Sequence, residues 1–154
     1  MGSGKSTVGA ILAARWGCPF VDLDALTGEA AEIFAAEGEA GFRARESAAL
    51  AIAVRGSGVI SLGGGTVVSE ANRAMLSGWR VFVLGAPLST LRARIDGDRL
   101  RFDGDRSRPL YSRLEQLLIE RADAYRVAGE AIDTVGGTPD DVADAVEACC
   151  ATSP

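Results

Sequence analysis

Six residues near the start of the chain, Gly2, Ser3, Gly4, Lys5, Ser6 and Thr7, carry the parts that a nucleoside triphosphate needs. Small residues let backbone N–H groups close around phosphate oxygens, a lysine offsets the β/γ charge, and a serine hydroxyl can ligate Mg²⁺. Behind them Val8, Ile11, Leu12 and Trp16 recur at helical spacing, which predicts a helix from Lys5 to about Trp16. A loop opening a helix in this way marks a phosphate site; the alternative is a glycine-rich turn before a helix with a surface lysine. The full phosphate-binding loop has one more glycine, upstream of Met1, and a strand before that. The expectation is that Met1 is an internal methionine taken as a start, and that the sheet lacks its N-terminal strand.

Further candidates lie downstream. Asp22 and Asp24 stand at i, i+2 in Val-Asp-Leu-Asp, which would place both on one face at the carboxyl end of a strand. Two adjacent carboxylates repel unless cations lie near, so Mg²⁺ plus a hydroxylated substrate would suit them; capping the next helix is the alternative. Arg43 and Glu46 are spaced i, i+3, close enough to pair, although such pairs often sit on a solvated face. Gly63, Gly64 and Gly65 follow an apolar run and would let backbone N–H groups approach a ligand, or simply form a tight turn. Arg121 falls on the stripe Leu114, Leu117, Leu118, Tyr125, and a guanidinium on an apolar face wants an anion unless it snorkels or pairs within the structure.

The elements that must position these residues alternate. Pro19 to Leu23, Gly58 to Gly65, Trp79 to Leu84 and, more weakly, Ala131 to Val135 read as strands, the middle two apolar enough for burial on both faces of a parallel sheet. Helices are predicted over Gly38 to Arg55, Ser69 to Ser77, Leu88 to Asp96, Tyr111 to about Val127, and Thr138 to Cys150. The last is marked by Thr138 as N-cap, Pro139 at the first position and Asp140 and Asp141 in the first turn. Alternation of this kind predicts right-handed βαβ units and a parallel, doubly wound sheet. Asp96 to Phe102 repeats at once as Asp103 to Pro109 with five of seven positions the same, and this polar pair of heptads is expected to be a solvated mobile loop.

Composition narrows the function. The 154 residues suit one domain, with 47% apolar and 24% charged residues. A net charge of −5 without a run of basic residues argues against a nucleic-acid partner. No apolar segment approaches the roughly 18 residues of a membrane span and no signal peptide is apparent, so a cytoplasmic protein with no membrane partner is expected. Cys18, Cys149 and Cys150 lack disulfide or zinc spacing and are expected to lie in the core or on helix faces. The chain has no histidine, which removes Ser-His-Asp and Cys-His chemistry and His-ligated metals.

Taken in order, Gly-Ser-Gly-Lys-Ser-Thr, Val-Asp-Leu-Asp, Ile33 to Glu46, Ser61 to Gly65, Ser107 to Leu110 and Glu120 to Tyr125 resemble shikimate kinase, a P-loop small-molecule kinase of the nucleoside-monophosphate-kinase-like fold. The resemblance implies a three-layer α/β/α P-loop domain over 1–154, with an acceptor-binding segment at about 24–55 and a lid at about 96–110. It implies transfer of the γ-phosphoryl group of ATP to the 3-hydroxyl of shikimate, on the route to chorismate and aromatic amino acids. Gly2 to Thr7 would bind the ATP phosphates, Ser6 would hold Mg²⁺, and Asp22 would reach the metal through water. Asp24 would bind the acceptor hydroxyls and orient or deprotonate the nucleophile. Arg43, Arg121 and the Gly63 to Gly65 turn would grip shikimate, the two arginines on its carboxylate. Arg108 would close over ATP and, with Lys5, offset charge on the phosphoryl oxygens. Lys5, Asp24 and Arg108 are thus the catalytic candidates, and a monomer is expected.

Three features depart from the family. The segment between Asp24 and Ile33 is shorter, the duplicated lid lets Arg101 compete with Arg108, and Val135-Gly136-Gly137 stands where an arginine near the adenine often follows the last strand. Two other readings are a gluconate-type or other small hydroxy-acid kinase, and a non-catalytic nucleotide-binding remnant.

Overall fold

A computed structural model describes residues 2–28, 30–101 and 113–152. Their contacts divide the chain into two compact units, Lys5–Val81 and Met1–Gly4 with Phe82–Pro154.

In the Lys5–Val81 unit, helix α1 (Lys5–Trp16) turns Val8, Gly9, Leu12 and Ala13 inward, a stripe of i, i+4 spacing that apolar burial selects. A side chain on Gly9 would stand 2.7 Å from the Phe20 ring, so the absence of one lets the helix lie close on strand β1 (Phe20–Asp22). Parallel strands need a crossover, and the chain makes it through helices α2 (Leu23–Thr27) and α3 (Ala30–Ala53) before strand β2 (Val59–Ser61) pairs with β1, Phe20 opposite Val59 and Asp22 opposite Ser61. Helix α3 breaks at Gly38, whose φ of 69° lies in the left-handed region that favours glycine. The break stacks Phe34 on Phe42 with ring centroids 4.8 Å apart, and brings Arg45 Nε to donate to Glu37 Oε2 at 3.1 Å. After β2 the chain makes one 3₁₀ turn, Thr66–Val68. Helix α4 (Glu70–Met75) then starts under a Ser69 cap.

The other unit has the same logic. Strand β3 (Phe82–Gly85) pairs in parallel with strand β4 (Glu130–Asp133), Phe82 opposite Glu130 and Gly85 opposite Asp133. Helices α5 (Leu88–Arg101) and α6 (Leu114–Ala128) lie between them in the chain. Leu91, Ile95 and Leu114 form a buried cluster with Ala86, Leu88 and Leu118 against it. Helix α7 (Pro139–Thr152) buries Val142, Ala143 and Val146. Its cap is reciprocal: Thr138 Oγ1 accepts the Asp141 N–H at 3.2 Å, while Asp141 Oδ2 accepts the Thr138 N–H at 2.7 Å.

Several expectations are met and others need correction. The mixed α/β character, the parallel pairing and the Lys5–Trp16 helix are as expected. The ladders, however, come as two separate two-stranded sheets among the described residues, so β2 and β3, each with one ladder partner, are half-buried rather than covered on both faces. Asp24 does not share a strand face with Asp22: the strand stops at Asp22, whose Oδ1 accepts the Asp24 N–H at 3.0 Å and so starts α2. Helical hydrogen bonding in α3 begins at Ala30, ahead of Gly38, which marks its kink. Helix α5 runs on to Arg101, through the first six residues of the repeat, because arginine and leucine propagate a helix as well as they solvate a loop. The repeat from Phe102 on, with Arg108, lies outside the described residues. Cys149 and Cys150 are half-buried on α7, the helix-face placement expected, whereas Cys18 is half-buried in the turn between α1 and β1, outside any helix.

Candidate active site

Within the Lys5–Val81 unit the structure gathers residues from four elements. Lys5 opens α1, and its Nζ reaches Asp24 Oδ2, on the first turn of α2, at 3.0 Å. Both remain accessible, their side chains 29% and 55% exposed, so each can exchange its partner for a ligand. Ser6 Oγ lies 3.3 Å from Ser61 Oγ at the end of β2. Thr7 is exposed, and Asp22 is half-buried in its capping role.

The glycine turn after β2 sits against the acceptor-side charges. A side chain on Gly63 would come within 2.4 Å of Glu46 Oε1, 2.9 Å of Asp24 Oδ1 and 3.0 Å of Thr66 Oγ1. One on Gly65 would stand 2.3 Å from Arg43 Nη1. Only residues without a Cβ let the turn approach a carboxylate pair and a guanidinium this closely; the Thr66 N–H closes the turn on the Gly63 carbonyl at 3.1 Å. Gly64 is half-buried between them.

Arg43 and Glu46 do not sit on a solvated face. Arg43 Nη1 donates to Glu46 Oε2 at 2.7 Å, and Glu46 is 2% exposed. The other carboxylate oxygen accepts from Thr66 Oγ1 at 2.7 Å, so each Glu46 oxygen has a donor, as a buried carboxylate requires. Thr66 is fully buried, and its carbonyl accepts from Asn72 Nδ2 at 2.9 Å. A one-turn spacing announced the Arg43–Glu46 pair in the sequence. Nothing announced Thr66 or Asn72, which stand in a single 3₁₀ turn and on a short helix without periodic signal.

Gly2, Ser3, Gly4 and Arg121 belong to the other unit. Gly2 and Gly4 have φ of 71° and 83°. The Gly2 carbonyl accepts from Arg94 Nη1 at 3.4 Å, and the same nitrogen donates to Thr134 Oγ1 at 2.8 Å. Arg94 was not singled out from the sequence; a lone arginine on a helix gives no spacing signal. Arg121 is half-buried on the α6 face that carries Leu114, Leu117 and Leu118, as its stripe predicted.

Among the described residues no group of three Asp, Glu or Cys side chains could hold a metal alone. Ser6 and Asp22 are hard oxygen donors that fit Mg²⁺ only in company with phosphate oxygens, which is how a nucleotide-bound magnesium is held. No helix among the described residues is long and apolar enough to cross a membrane.

Residues 1–151 match the family model described as shikimate kinase. The chain belongs to the shikimate kinase family. Among similar proteins, the shikimate kinase of Frankia casuarinae is 41% identical over 96% of this chain and 68% of its own length. That of Gloeobacter violaceus is 41% identical over 98% and 88%. Among solved structures, a shikimate kinase from Acinetobacter baumannii in complex with shikimate superposes with a TM-score of 0.84 at 30% identity, covering 99% of this chain and 89% of that one. The shikimate kinase of Aquifex aeolicus gives 0.79 at 26% identity, over 98% and 92%. The α/β P-loop fold expected from the sequence is therefore this chain's fold, and membership of the shikimate kinase family makes it an ATP-dependent phosphotransferase.

Proposed function

We propose that this chain transfers the γ-phosphoryl group of ATP to the 3-hydroxyl of shikimate, working as a monomeric cytoplasmic enzyme of aromatic amino acid biosynthesis. The observation that carries this reading is the meeting of Lys5 and Asp24 at 3.0 Å, with the glycine turn packed on Asp24, Glu46 and Arg43. A phosphate-side cation, an acceptor-side carboxylate and a guanidinium surround one backbone segment that has no side chains to obstruct a ligand.

The chemistry follows from the charges. Phosphoryl transfer depends mainly on alignment and on offsetting charge at the phosphoryl oxygens. The acceptor oxygen forms a bond to the γ-phosphorus as the bond to the β–γ bridging oxygen breaks, and ADP departs with that electron pair. The hydroxyl proton passes to Asp24, which also orients the nucleophile. Lys5 moves from Asp24 to the developing charge on the transferred group. Arg43, its Nη1 anchored on Glu46, offers its remaining donors to the acceptor carboxylate. Arg121 takes the second grip on that carboxylate, and Arg108 closes on ATP in the role the family resemblance gives it. Ser6 and, through water, Asp22 would hold Mg²⁺, which supplies charge neutralisation at the phosphates when bound. The acceptor segment at about 24–55 and a lid at about 96–110 are parts of this same reading.

The test is ADP release from ATP with and without shikimate, beside gluconate as a rival acceptor. Shikimate-dependent release supports the reading; release driven by gluconate alone would replace the acceptor. Asp24→Asn is expected to lower turnover at least about a hundredfold while ATP still binds, and unchanged turnover would remove Asp24 from the mechanism.

A further inference from the structure

Glu46 and the residues beneath it pose a question that the reaction does not answer. Arg43 grips a ligand well only if its guanidinium stays in one place, and its anchor is a buried carboxylate whose own orientation must be fixed. Among the described residues, the donor to Glu46 Oε1 is the Thr66 hydroxyl, at 2.7 Å. Thr66 in turn is held at both ends of its backbone: its N–H donates to the Gly63 carbonyl at 3.1 Å, and its carbonyl accepts from Asn72 Nδ2 at 2.9 Å. A chain of hydrogen bonds therefore runs from helix α4 through Asn72, Thr66 and Glu46 to Arg43, and Thr66 also closes the glycine turn.

Asn72 holds its place in this series of hydrogen bonds at a cost. It is 3% exposed, and its Oδ1 is buried with no hydrogen-bond partner among the described residues. An amide buried with half its bonding capacity unused is expensive, and an apolar residue of the same shape would pack without that penalty. A structure that keeps the amide is keeping the one bond it makes, to Thr66.

We propose that Thr66 and Asn72 are positioning residues for the acceptor: Asn72 fixes Thr66, Thr66 fixes Glu46, and Glu46 fixes Arg43 in the pose that receives the acceptor carboxylate. The inference rests on the proposed shikimate kinase reading for its substrate, and on the hydrogen-bond geometry for everything else. Both residues are buried, Thr66 at 0% and Asn72 at 3% exposure, and act through Arg43, so their influence is on the acceptor KM rather than on the nucleotide.

The experiment compares Thr66→Val, Thr66→Ser and Asn72→Leu with the unaltered chain. Thr66→Val keeps the shape and removes the hydroxyl; the shikimate KM is expected to rise about tenfold, in line with the loss of a bond to a charged group, with the ATP KM changed less than about twofold. Thr66→Ser restores the donor and is expected to return the shikimate KM to near the unaltered value. Asn72→Leu is expected to raise the shikimate KM while leaving the melting temperature equal or higher, a combination that a structural role would not give. A folded Thr66→Val with an unchanged shikimate KM overturns the inference, as does an Asn72→Leu that loses stability but not affinity. A second readout needs no substrate. The Arg43 Nε–H resonance, assigned by its loss in Arg43→Lys, is expected to shift and exchange faster in Thr66→Val. If the unaltered chain shows no shikimate-dependent ADP release, the function reading fails; an unmoved Arg43 resonance then overturns this inference too, and a moved one sustains it.

Discussion

At the scale of single residues, the glycine turn is the most exposed to substitution. Adding one methyl at Gly65 would bring carbon to 2.3 Å from Arg43 Nη1, so the guanidinium must leave its place. Gly65→Ala is expected to raise the shikimate KM by at least about tenfold with little effect on ATP affinity; equal affinity for both ligands in the variant would show that Arg43 does not grip the acceptor. The sequence made these glycines, Lys5, Asp24 and Arg43 visible, because phosphate chemistry and close backbone approach demand particular residue types at particular spacings. It left Thr66 and Asn72 invisible, since a hydroxyl in a single 3₁₀ turn and an amide on a short helix look the same whether they serve a network or solvent. It also misjudged Asp22 and Asp24 as neighbours on a strand: two alternating carboxylates look alike whether the backbone stays extended or the first caps a helix on the second.

At the scale of elements, the helix termini carry clear electrostatics. Hydrogen bonds from the Thr138 side chain, and then from its backbone N–H, hold Asp141 below the ordinary aspartate value of 3.8. The cap therefore stabilises fully above about pH 3.8 and loses its contribution as pH falls from there through the lowered folded value, because the unfolded chain takes the proton first. Melting temperatures measured from pH 5 downward are expected to fall less steeply in Asp141→Asn than in the unaltered chain; parallel curves would show that the carboxylate adds nothing. Across the α3 kink, hydrogen bonding to Arg45 holds Glu37 below its ordinary 4.5. Gly38→Ala is expected to lower the melting temperature by several degrees, since a left-handed φ of 69° strains any residue with a Cβ. Element positions were largely legible: α1 and the cap of α7 fell where periodicity and capping chemistry put them. Helix α2 was missed because five residues are too few to show a helical period. The end of α5 was misplaced because charged residues suit a helix surface and a loop equally.

At the scale of the whole molecule, the absence of histidine leaves no side chain with an ordinary pKa between about 5 and 8. Melting temperature is expected to stay nearly flat from pH 6 to 8, and a step there would reveal a strongly displaced carboxylate or thiol. The overall α/β class was legible because strands and helices alternate along the chain. The division of the ladders into two pairs was not, since an apolar strand has the same composition beside one neighbour or two. One feature of the site also bears on how the molecule handles two ligands. Lys5 and Asp24 neutralise each other at 3.0 Å, and a nucleotide that draws Lys5 away leaves Asp24 with an uncompensated charge that an acceptor hydroxyl can solvate. By thermodynamic reciprocity the acceptor must then tighten nucleotide binding by the same factor, about fivefold at most for an accessible ion pair. Lys5 is also the only lysine in the chain. An amine-selective reagent thus has one side chain to find, and its rate of labelling becomes a direct gauge of which partner that lysine holds.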